Sequence, residues 1–557
     1  MSVPIEVLPY RRGHLVVKEA DPSVLPVCSR PTVPGVISER ACAFYGARWM
    51  LASIPDVIHL IHGPAGCAYY GRTVRRKSYR IFSTQLVERD IIFGAGDKLY
   101  DSIVEAVTRN PNARAVLVYA TCVAGVIGED IPAVCKRATK DTGLPVVPVD
   151  CPGFCGSQAE GHDIAAGVLF KHFIGIGKAE QPIDNGVNIV GEFDVQGDLD
   201  EIEGLLKQLG LKVICAFSGR ASVAAMANAH RARLNIVHCR RTGQALAEGM
   251  QKRFGIPYLK VSFFGLEETA SALRSIGQFF GVAGAEDIIE PSIQEARKAA
   301  APFLSSLAGK RVALFFGASR MGSMAKAFKE LGMEVVMAGS QFGCREDYQE
   351  AGAKVPDGAV LIDDAHEKEL EEFLVKRQPH LLVGGTKEKY LSHKLGVPFL
   401  VFPQEMSPFA GFRGFVNLAR EAAGLISAPV WRLARRRGEV DKVKVAVASR
   451  NGLTVDQHFG RAEQFMIFEI CGENINLLEI RRPSLVSENS CSQPKGKDGL
   501  QHRLDLLSDC QGVICVRAGR CVRERAEEAG LMVFESEGPL FQALEQCSLV
   551  LQSGEER

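Results

Sequence analysis

The sequence alternates short apolar runs, rich in β-branched residues, with helix-like segments along most of its length. The strand-like runs are DVIHLIHG, ARAVLVYAT, LPVVPVD, VNIVGEF, KVICAF, LNIVHC, RVALFFG, EVVMAG, HLLVGG and VPFLVF. Helix-like segments such as DLDEIEGLLKQLG, ASALRSIGQFFG and HEKELEEFLVKR lie between many of them. This alternation predicts doubly wound α/β units, in which crossover helices join parallel strands. Ligands bind at the carboxyl ends of the strands in such sheets, so the residues after each run are the candidates for function.

The chain length sets the number of domains. A sequence of 557 residues is too long for one core and predicts about three to five domains. Polar breaks place an N-terminal extension at 1–35 and three Rossmann-like α/β units at 36–182, 183–303 and 304–436. The basic stretch RLARRRGEVDK ends in a linker at 437–442, and a further module with a strand–turn–strand opening occupies 443–552.

The composition limits the partners and the cellular compartment that we expect. The formal net charge is +1 with 24% charged residues. The protein therefore has no strong electrostatic field that would favour nucleic acid or an acidic membrane surface as a partner. The N-terminus has no apolar core of a signal peptide, and no apolar run is long enough for a membrane span. We therefore expect a cytoplasmic protein, whose 16 cysteines are thiolate ligands or buried thiols rather than disulfides.

Three cysteines are candidates for a shared metal site, and two of them, Cys67 and Cys122, follow apolar strand-like runs. Cys42 lies in ERACAFYGA, Cys67 in IHGPAGCAYYG and Cys122 in VYATCVAGVIGED. The turn Gly63–Gly66 brings backbone N–H groups near Cys67, and N–H donors stabilise thiolates. The spacings of 25 and 55 residues exclude a zinc knuckle or a ferredoxin run. Spacing alone leaves both a metal site and ordinary buried thiols open.

A family resemblance favours the metal site. The segments ACAFYGA, DVIHLIHGPAGCAYY, ERDIIFGAGDKLYDSI, TCVAGVIGEDIPAVCK and VDCPGFCGSQAEGHDIA resemble, in order, landmarks of the alpha-type chains of nitrogenase component 1. The resemblance extends over residues 36–435. It implies that Cys42, Cys67 and Cys122 bind a cluster shared with a beta-type subunit in a heterotetramer. That cluster is the P-cluster in the catalytic branch of the family and a [4Fe–4S] cluster in the cofactor-assembly branch.

The same resemblance implies a second pocket. Cys239 takes the position that holds one end of the iron–sulfur cofactor or its precursor, although a Cys ending an apolar strand is more often a core residue. Gln158 and His162 match polar residues of the cofactor cavity, and a helix-start polar network is the alternative. Arg75 matches a cavity arginine that could attract an anionic cluster or homocitrate. A solvated charged face is its alternative.

One departure separates the two branches. The catalytic alpha chain has a His that binds the molybdenum end of the cofactor, whereas this sequence has Pro403 at about that position. Proline offers no ligand atom, so a cluster would be held at Cys239 only, which suits a scaffold that must release it. We therefore expect a scaffold for biosynthesis of the iron–molybdenum cofactor. The alternative is an enzyme, the alpha-type subunit of a nitrogenase-like reductase acting on another substrate, with Gln158, His162 and Arg75 as its catalytic residues.

The C-terminal module contains the segments VAVASRNGLTVDQHFGRAEQFMIFEI, LLSDCQGVICVRAGRCVRERAEEAGLMVF and ESEGPLFQAL. They resemble the dinitrogenase cofactor-binding domains, and this resemblance implies a ribonuclease-H-like α/β fold. By that resemblance His458 in DQHFGRA binds cofactor, and an exposed, unligated side chain is the alternative. The roles of Cys491, Cys510, Cys515 and Cys521 stay open, with Cys521 expected in an accessible turn. The spacing of Cys151 and Cys155 in CPGFC could bring two sulfurs near one cluster, but neither cysteine matches a ligand position of the family, so we expect packing residues. The family also implies an iron-protein reductase and a cluster donor as partners.

Overall fold

The computed structural model describes residues 13–18, 24–28, 41–72, 81–177, 181–194, 197–402, 407–431, 443–471, 474–483 and 497–553. The chain divides into two compact units, Met1–Trp431 and Arg432–Arg557. Arg75, Pro403 and Cys491 lie outside the described residues. Within the described ranges, no helix is both long enough and apolar enough to cross a bilayer.

The N-terminal part of the first unit forms a four-stranded parallel sheet. Its elements follow the short strand β1 (Leu15–Val17), which joins a later sheet. They are α1 (Ala43–Leu51), β2 (Val57–His62), α2 (Ala65–Arg72), β3 (Ile81–Ser83), α3 (Glu88–Phe93), α4 (Gly96–Arg109), β4 (Ala115–Ala120), α5 (Cys122–Ile127), α6 (Ile131–Thr142), β5 (Val146–Asp150) and α7 (Gln158–His172). The strand order is β3-β2-β4-β5. Pro148 in β5 is tolerated because β5 is an edge strand, where one face of the ladder needs no N–H donor.

The second sheet is also parallel and four-stranded. It is built from β6 (Gly186–Glu192), α8 (Asp198–Gln208), β7 (Lys212–Ser218), α9 (Val223–Asn228), β8 (Leu234–Val237), α10 (Arg240–Phe254), β9 (Tyr258–Lys260), α11 (Leu266–Phe280) and α12 (Ala285–Leu307). The strand order is β7-β6-β8-β9. The chain therefore winds outward from β6 in both directions, and the carboxyl ends of β6 and β8 lie side by side at the crevice between them.

The third sheet completes the first unit. Its elements are β10 (Arg311–Phe315), α13 (Met321–Glu330), β11 (Glu334–Ser340), α14 (Arg345–Lys354), β12 (Val360–Asp363), α15 (Glu367–Arg377), β13 (Leu381–Gly384), α16 (Glu388–Lys394), β14 (Phe399–Val401) and α17 (Gly411–Ser427). The strand order is β1-β12-β11-β10-β13-β14, with β1 antiparallel to β12. The sequence did not indicate that β1, from the N-terminal extension, would pair here, because a three-residue strand carries too little pattern.

The second unit has one mixed sheet. Its elements are β15 (Val443–Ala448), β16 (Thr454–Val455), β17 (Phe465–Cys471), β18 (Asn474–Arg481), α18 (Lys497–Leu506), β19 (Gly512–Cys515), α19 (Arg520–Glu528), β20 (Met532–Glu535), β21 (Gly538–Pro539) and α20 (Leu540–Ser553). The order is β18-β17-β15-β19-β20, antiparallel on one side of β15 and parallel on the other. This is the arrangement expected of a ribonuclease-H-like domain.

The predicted α/β class is confirmed, and burial explains why periodicity revealed it. Strands β2, β4 and β6 are buried along their whole length. Helices cover both faces of a doubly wound parallel sheet, so its central strands read as continuous apolar runs rather than alternating ones. The buried strands set the sheet edges at which the functional side chains stand.

Candidate functional site

Each of the three predicted cluster cysteines lies where a helix begins. Cys42 immediately precedes α1, Cys67 lies in the first turn of α2, and Cys122 is the first residue of α5. Strands β2 and β4 pair in parallel, so Cys67 and Cys122 leave the sheet at the same edge. The first turn of a helix has unpaired N–H groups, and such groups favour a thiolate.

The three thiols are close enough to affect one another electrostatically. Burial raises the pKa of Cys67 above its ordinary value, and the sulfurs of Cys122 and Cys42 raise it further. A side-chain interaction with Thr121 lowers the pKa of Cys67 and partly offsets this rise. Iron bound by the sulfurs would hold them as thiolates, and its positive charge would offset the repulsion between them. The structure thus brings together the three cysteines that the sequence indicates.

A turn after β5 closes over two of these sulfurs. The backbone N–H of Gly153 donates to the Sγ of Cys122 over 3.1 Å. A Cβ added at Gly153 would lie 2.9 Å from that Sγ and 3.2 Å from the Cβ of Cys42. Only glycine leaves room for the sulfurs at this distance. An N–H donor aimed at sulfur is a feature that stabilises thiolates and sets the potential of iron–sulfur clusters.

Buried polar contacts fix the loops that carry Cys67 and Cys122. The carboxylate of Glu129 accepts hydrogen bonds from the buried His62 ring and from the backbone N–H of Ala95. The hydroxyl of Thr121 donates to the carbonyl oxygen of His62 over 2.9 Å. Sequence reasoning missed Glu129, although it stands in the quoted segment VIGED. Its contacts lie too far apart in sequence for a motif to reveal them.

The donor set fits a polynuclear cluster. Across the described ranges, no group of three or more His, Cys, Asp or Glu side chains surrounds a single metal ion. Thiolates around an iron–sulfur cluster each bind a different iron and therefore stand further apart than the ligands of one ion. Cys42 and Cys67 are half-buried and Cys122 is exposed. The site therefore opens to the surface, where another chain can reach it.

Cys239 occupies the second predicted position, at the end of β8. It is the residue before α10, is 6% exposed, and has its Sγ 3.0 Å from the hydroxyl of Ser319. Ser319 belongs to a one-turn 3-10 helix, Ala318–Arg320, that follows β10. Cys239 thus stands where the second and third sheets of the first unit meet.

A buried ion pair adjoins Cys239 and was not predicted from the sequence. Arg320 pairs with Glu192 over 2.9 Å, and both side chains are almost wholly inaccessible. Burial lowers the pKa of Arg320, but the carboxylate of Glu192 and the sulfur of Cys239 outweigh it, so the net shift is upward. Burial likewise lowers the pKa of the neighbouring His238 to about 4. The sequence signal for this pair was a charged residue near the end of each of two apolar strands. Glu192 is the last residue of β6, in GEF, and Arg320 lies in the 3-10 helix after β10, in GASR.

Helix α7 carries the predicted Gln158 and His162. Gln158 is its first residue and half-buried, whereas His162 is 3% exposed and neither ring nitrogen has a hydrogen-bond partner. Burial lowers the pKa of His162 to about 3, and the guanidinium of Arg241 contributes. Arg241 is on α10, two residues after Cys239. A buried imidazole without a hydrogen-bond partner can form a hydrogen bond with a bound ligand.

Close helix packing connects the two sites. A Cβ at Gly46 would overlap the carbonyl of Gln158, and one at Gly161 would overlap the carbonyl of Ala43. The N–H of Gln158 also donates to the carbonyl of Ala41 over 2.7 Å. The start of α7 is therefore held beside Cys42 by close packing and by this backbone hydrogen bond.

The predicted residue of the second unit, His458, is exposed. It precedes a 3-10 turn, Phe459–Arg461, whose first N–H donates to the carbonyl of Arg517 over 3.1 Å. The carbonyl of Gln457 accepts from the N–H of Val516 over 2.9 Å. These contacts hold the loop against the segment after β19, so His458 stands at the carboxyl edge of the sheet with its ring in solvent.

The cysteines of the second unit divide by burial. Burial raises the pKa of Cys510 and of Cys515 to about 11 each, which leaves both as protonated core thiols near neutral pH. Cys521 is exposed, as expected. The expectation that it lies in a turn is wrong, because Cys521 is in the first turn of α19, with Gly519 as the N-cap.

Comparison with known proteins matches both units to families. Residues 42–427 match the model described as "Nitrogenase component 1 type Oxidoreductase". Residues 441–548 match the model described as "Dinitrogenase iron-molybdenum cofactor". The first match covers well over half of the chain and includes all the described candidate residues of the first unit, whereas the second includes His458.

Individual relatives agree with the family models. The protein is 40% identical over 445 residues, covering 78% of this chain and 92% of the relative, to the nitrogenase iron-molybdenum cofactor biosynthesis protein NifE of Methanococcus maripaludis. It is 36% identical over 459 residues, covering 78% and 98%, to the nitrogenase molybdenum-iron protein alpha chain of Methanothermobacter marburgensis. A solved structure, nitrogenase Cp1 at pH 6.5, superposes with a TM-score of 0.71 at 30% identity, covering 77% of this chain and 97% of that one. The protein therefore belongs to the nitrogenase component 1 family and carries a C-terminal domain of the dinitrogenase iron–molybdenum cofactor family.

Proposed function

We propose that this protein is a NifE-like scaffold on which the iron–molybdenum cofactor of nitrogenase is assembled. The observation that carries the proposal is the presence, in one chain, of a component 1 unit and a cofactor-family unit. A catalytic subunit keeps its cofactor and needs no carrier. A scaffold must receive a precursor and pass it on, and an attached carrier domain serves that need.

The first site would hold a [4Fe–4S] cluster, or a P-cluster-like one, on Cys42, Cys67 and Cys122. Such a cluster stores and passes single electrons. The chain contributes thiolates at helix starts and the Gly153 N–H that donates to Cys122. Three thiolates leave one iron of a four-iron cluster for a further ligand. In the assembled complex we assign that ligand to a NifN-like beta-type subunit, giving a heterotetramer.

The second site would hold the maturing iron–sulfur precursor, later completed with molybdenum and homocitrate. Cys239 provides the thiolate, and Arg241 provides positive charge that suits an anionic cluster. Gln158 and His162 offer polar contacts from α7, and we assign the same task to Arg75. The sequence places Pro403, which has no ligand atom, where the catalytic alpha chain has a histidine. A cluster gripped mainly at Cys239 can leave again.

The second unit would act as a carrier, with His458 as the cofactor-binding residue. A tether of modest length keeps a linked domain at an effective concentration of roughly millimolar. A cluster passed between linked units is therefore captured faster than it is lost to solvent. A NifB-like donor would supply the precursor, and a NifH-like reductase would supply electrons.

The competing role is that of a reductase subunit, and His162 argues against it. A residue that delivers protons to substrate works best with a pKa near the operating pH. The folded chain lowers the pKa of His162 to about 3 by burial and by the charge of Arg241. His162 is therefore neutral near pH 7 and suited to hydrogen bonding with a bound cluster rather than to repeated proton delivery.

A turnover experiment separates the two roles. The purified complex is given an iron-protein reductase, ATP and a panel of small reducible substrates, and products are counted per cluster. A scaffold is expected to give one cofactor per site and no sustained product. Many products per cluster would establish the reductase role and contradict the proposal.

A further inference from the structure

A fourth cysteine, Cys155, lies beside the three-cysteine site and has no role in packing. It is exposed, and it ends the 3-10 turn Gly153–Cys155 that closes over the sulfur of Cys122. Its neighbour in the motif, Cys151, is different. Cys151 is fully buried, and its thiol is hydrogen-bonded to the carbonyl of Ala120. Core packing accounts for Cys151 but not for Cys155.

The turn that bears Cys155 is fixed to the elements that carry the other cysteines. At its start, the N–H of Gly153 is bonded to Cys122, and at its end the carbonyl of Gly156 accepts from the N–H of Ala43 over 2.9 Å. Ala43 directly follows Cys42. Cys155 is thus held between two backbone contacts, one to the sulfur of Cys122 and one to the residue beside Cys42.

A third contact positions the same turn. The ring of Phe154 comes within 3.2 Å of the Cβ position of Gly125, which is in the helix that Cys122 begins. The sulfur of Cys155 is also close to that of Cys122. Burial, the carboxylate of Asp150 and the sulfur of Cys122 all raise the pKa of Cys155. The turn cannot move away from the site without losing contacts with both α1 and α5.

We propose that Cys155 is the fourth thiolate of the iron–sulfur cluster before the partner subunit binds. The inference rests on the proposed function, in which Cys42, Cys67 and Cys122 hold that cluster. Four cysteine thiolates are the usual complement of a [4Fe–4S] cluster. With Cys155, one chain supplies the complete set, and the unpaired protein can be loaded with its cluster.

Docking of the partner then exchanges one ligand. The bond from iron to the Cys155 sulfur breaks as iron binds the partner's ligand, and no electron is transferred. The released thiolate of Cys155 takes one proton from water. Because Cys155 and Cys122 are the two exposed cysteines of this site, an approaching chain reaches them first.

The test uses the full chain expressed without its partner and reconstituted anaerobically with iron and sulfide. Iron, acid-labile sulfide and the electron paramagnetic resonance spectrum are measured for the wild type, Cys155→Ala and Cys28→Ala. Cys28 is a half-buried cysteine packed against the other large core of this unit, which makes it a matched control. Wild type and control are expected to hold about four irons per chain and to show a reduced [4Fe–4S] signal.

Cys155→Ala is expected to hold about three irons and to give a [3Fe–4S] signal on mild oxidation. Cys155→Ser, which keeps a ligand atom in the turn, should retain the fourth iron with altered g values, and circular dichroism checks that each variant folds. An unchanged four-iron spectrum in Cys155→Ala, or no four-iron cluster in the wild-type chain, would overturn the inference. Cys122→Ala separates this from the proposed function. If that variant also keeps its cluster, in the chain and in the complex, the cluster site itself is wrong.

Discussion

The backbone N–H of Gly153 donates to the sulfur of Cys122 over 3.1 Å, and this contact joins the turn after β5 to the helix after β4. The contact explains why a glycine stands here. It would also affect the reduction potential of a bound cluster, because N–H donors to sulfur stabilise the reduced, more negative state.

Replacing Gly153 with Ala should damage the cluster site without unfolding the protein. The new methyl would lie 2.9 Å from the Cys122 sulfur, so the turn must shift by some tenths of an ångström. Overpacking of this kind costs about 1–3 kcal/mol, and the shift of the turn weakens the hydrogen bond from the backbone N–H to the Cys122 sulfur. Iron retained per complex should fall several-fold. Gly167→Ala is the control, because nothing lies within 4 Å of its Cβ position on α7. Equal iron in both variants would contradict the assigned role of Gly153.

The buried Arg320–Glu192 pair should be costly to break from one side. Arg320→Met leaves the carboxylate of Glu192 buried without its partner, and such changes cost about 3–5 kcal/mol. Adding Glu192→Gln should recover most of that loss, because no charge is then left unpaired. Urea unfolding of the single and double variants measures both effects. A double variant no more stable than Arg320→Met would show that the pair is not coupled.

The depressed pKa of His162 predicts how stability depends on pH. The ordinary pKa is 6.5 and that of the folded protein is about 3. Between these values the unfolded chain binds a proton that the folded chain does not, so His162 removes stability as the pH falls through 6.5 towards 3. At pH 5 this amounts to about 2 kcal/mol.

The variant His162→Gln should therefore lose less stability than the wild type between pH 7 and pH 5, by that amount. The comparison is made by urea unfolding at both values of pH. His502→Gln, on the exposed surface of α18, should keep the pH dependence of the wild type. Parallel losses in the wild type and His162→Gln would mean that the imidazole is solvated or partnered.

His458→Ala should separate binding from folding in the second unit. The side chain is exposed, so the free energy of unfolding should change by less than about 0.5 kcal/mol. If His458 is the cofactor ligand, the affinity of the purified protein for isolated cofactor should fall about tenfold or more, a loss of at least about 1.4 kcal/mol. His502→Ala is the matched exposed control in the same unit. Equal affinities in the two variants would remove His458 from the site.

The α/β fold could be predicted from the sequence and is confirmed, whereas the cluster role of Cys42, Cys67 and Cys122 stays a prediction. Apolar runs located the strands because parallel sheets bury them completely, and Cys67 and Cys122 followed from the strand ends. Arg320 and Glu192 escaped prediction, since they are 128 residues apart and meet only through tertiary structure. The helix at Cys521 was missed because a glycine that reads as a turn serves there as an N-cap.

The most direct test of the two-site scaffold is the metal content of the co-purified complex with and without Cys239. Iron, molybdenum and acid-labile sulfide are measured with the electron paramagnetic resonance spectrum for the wild type, Cys239→Ala and Cys215→Ala. Cys215 is a 2%-exposed thiol of β7 and controls for a small cavity. Cys239→Ala should lose the precursor iron and keep the [4Fe–4S] signal, whereas Cys215→Ala should keep both. Loss of both signals together in Cys239→Ala, or of neither, would contradict the account.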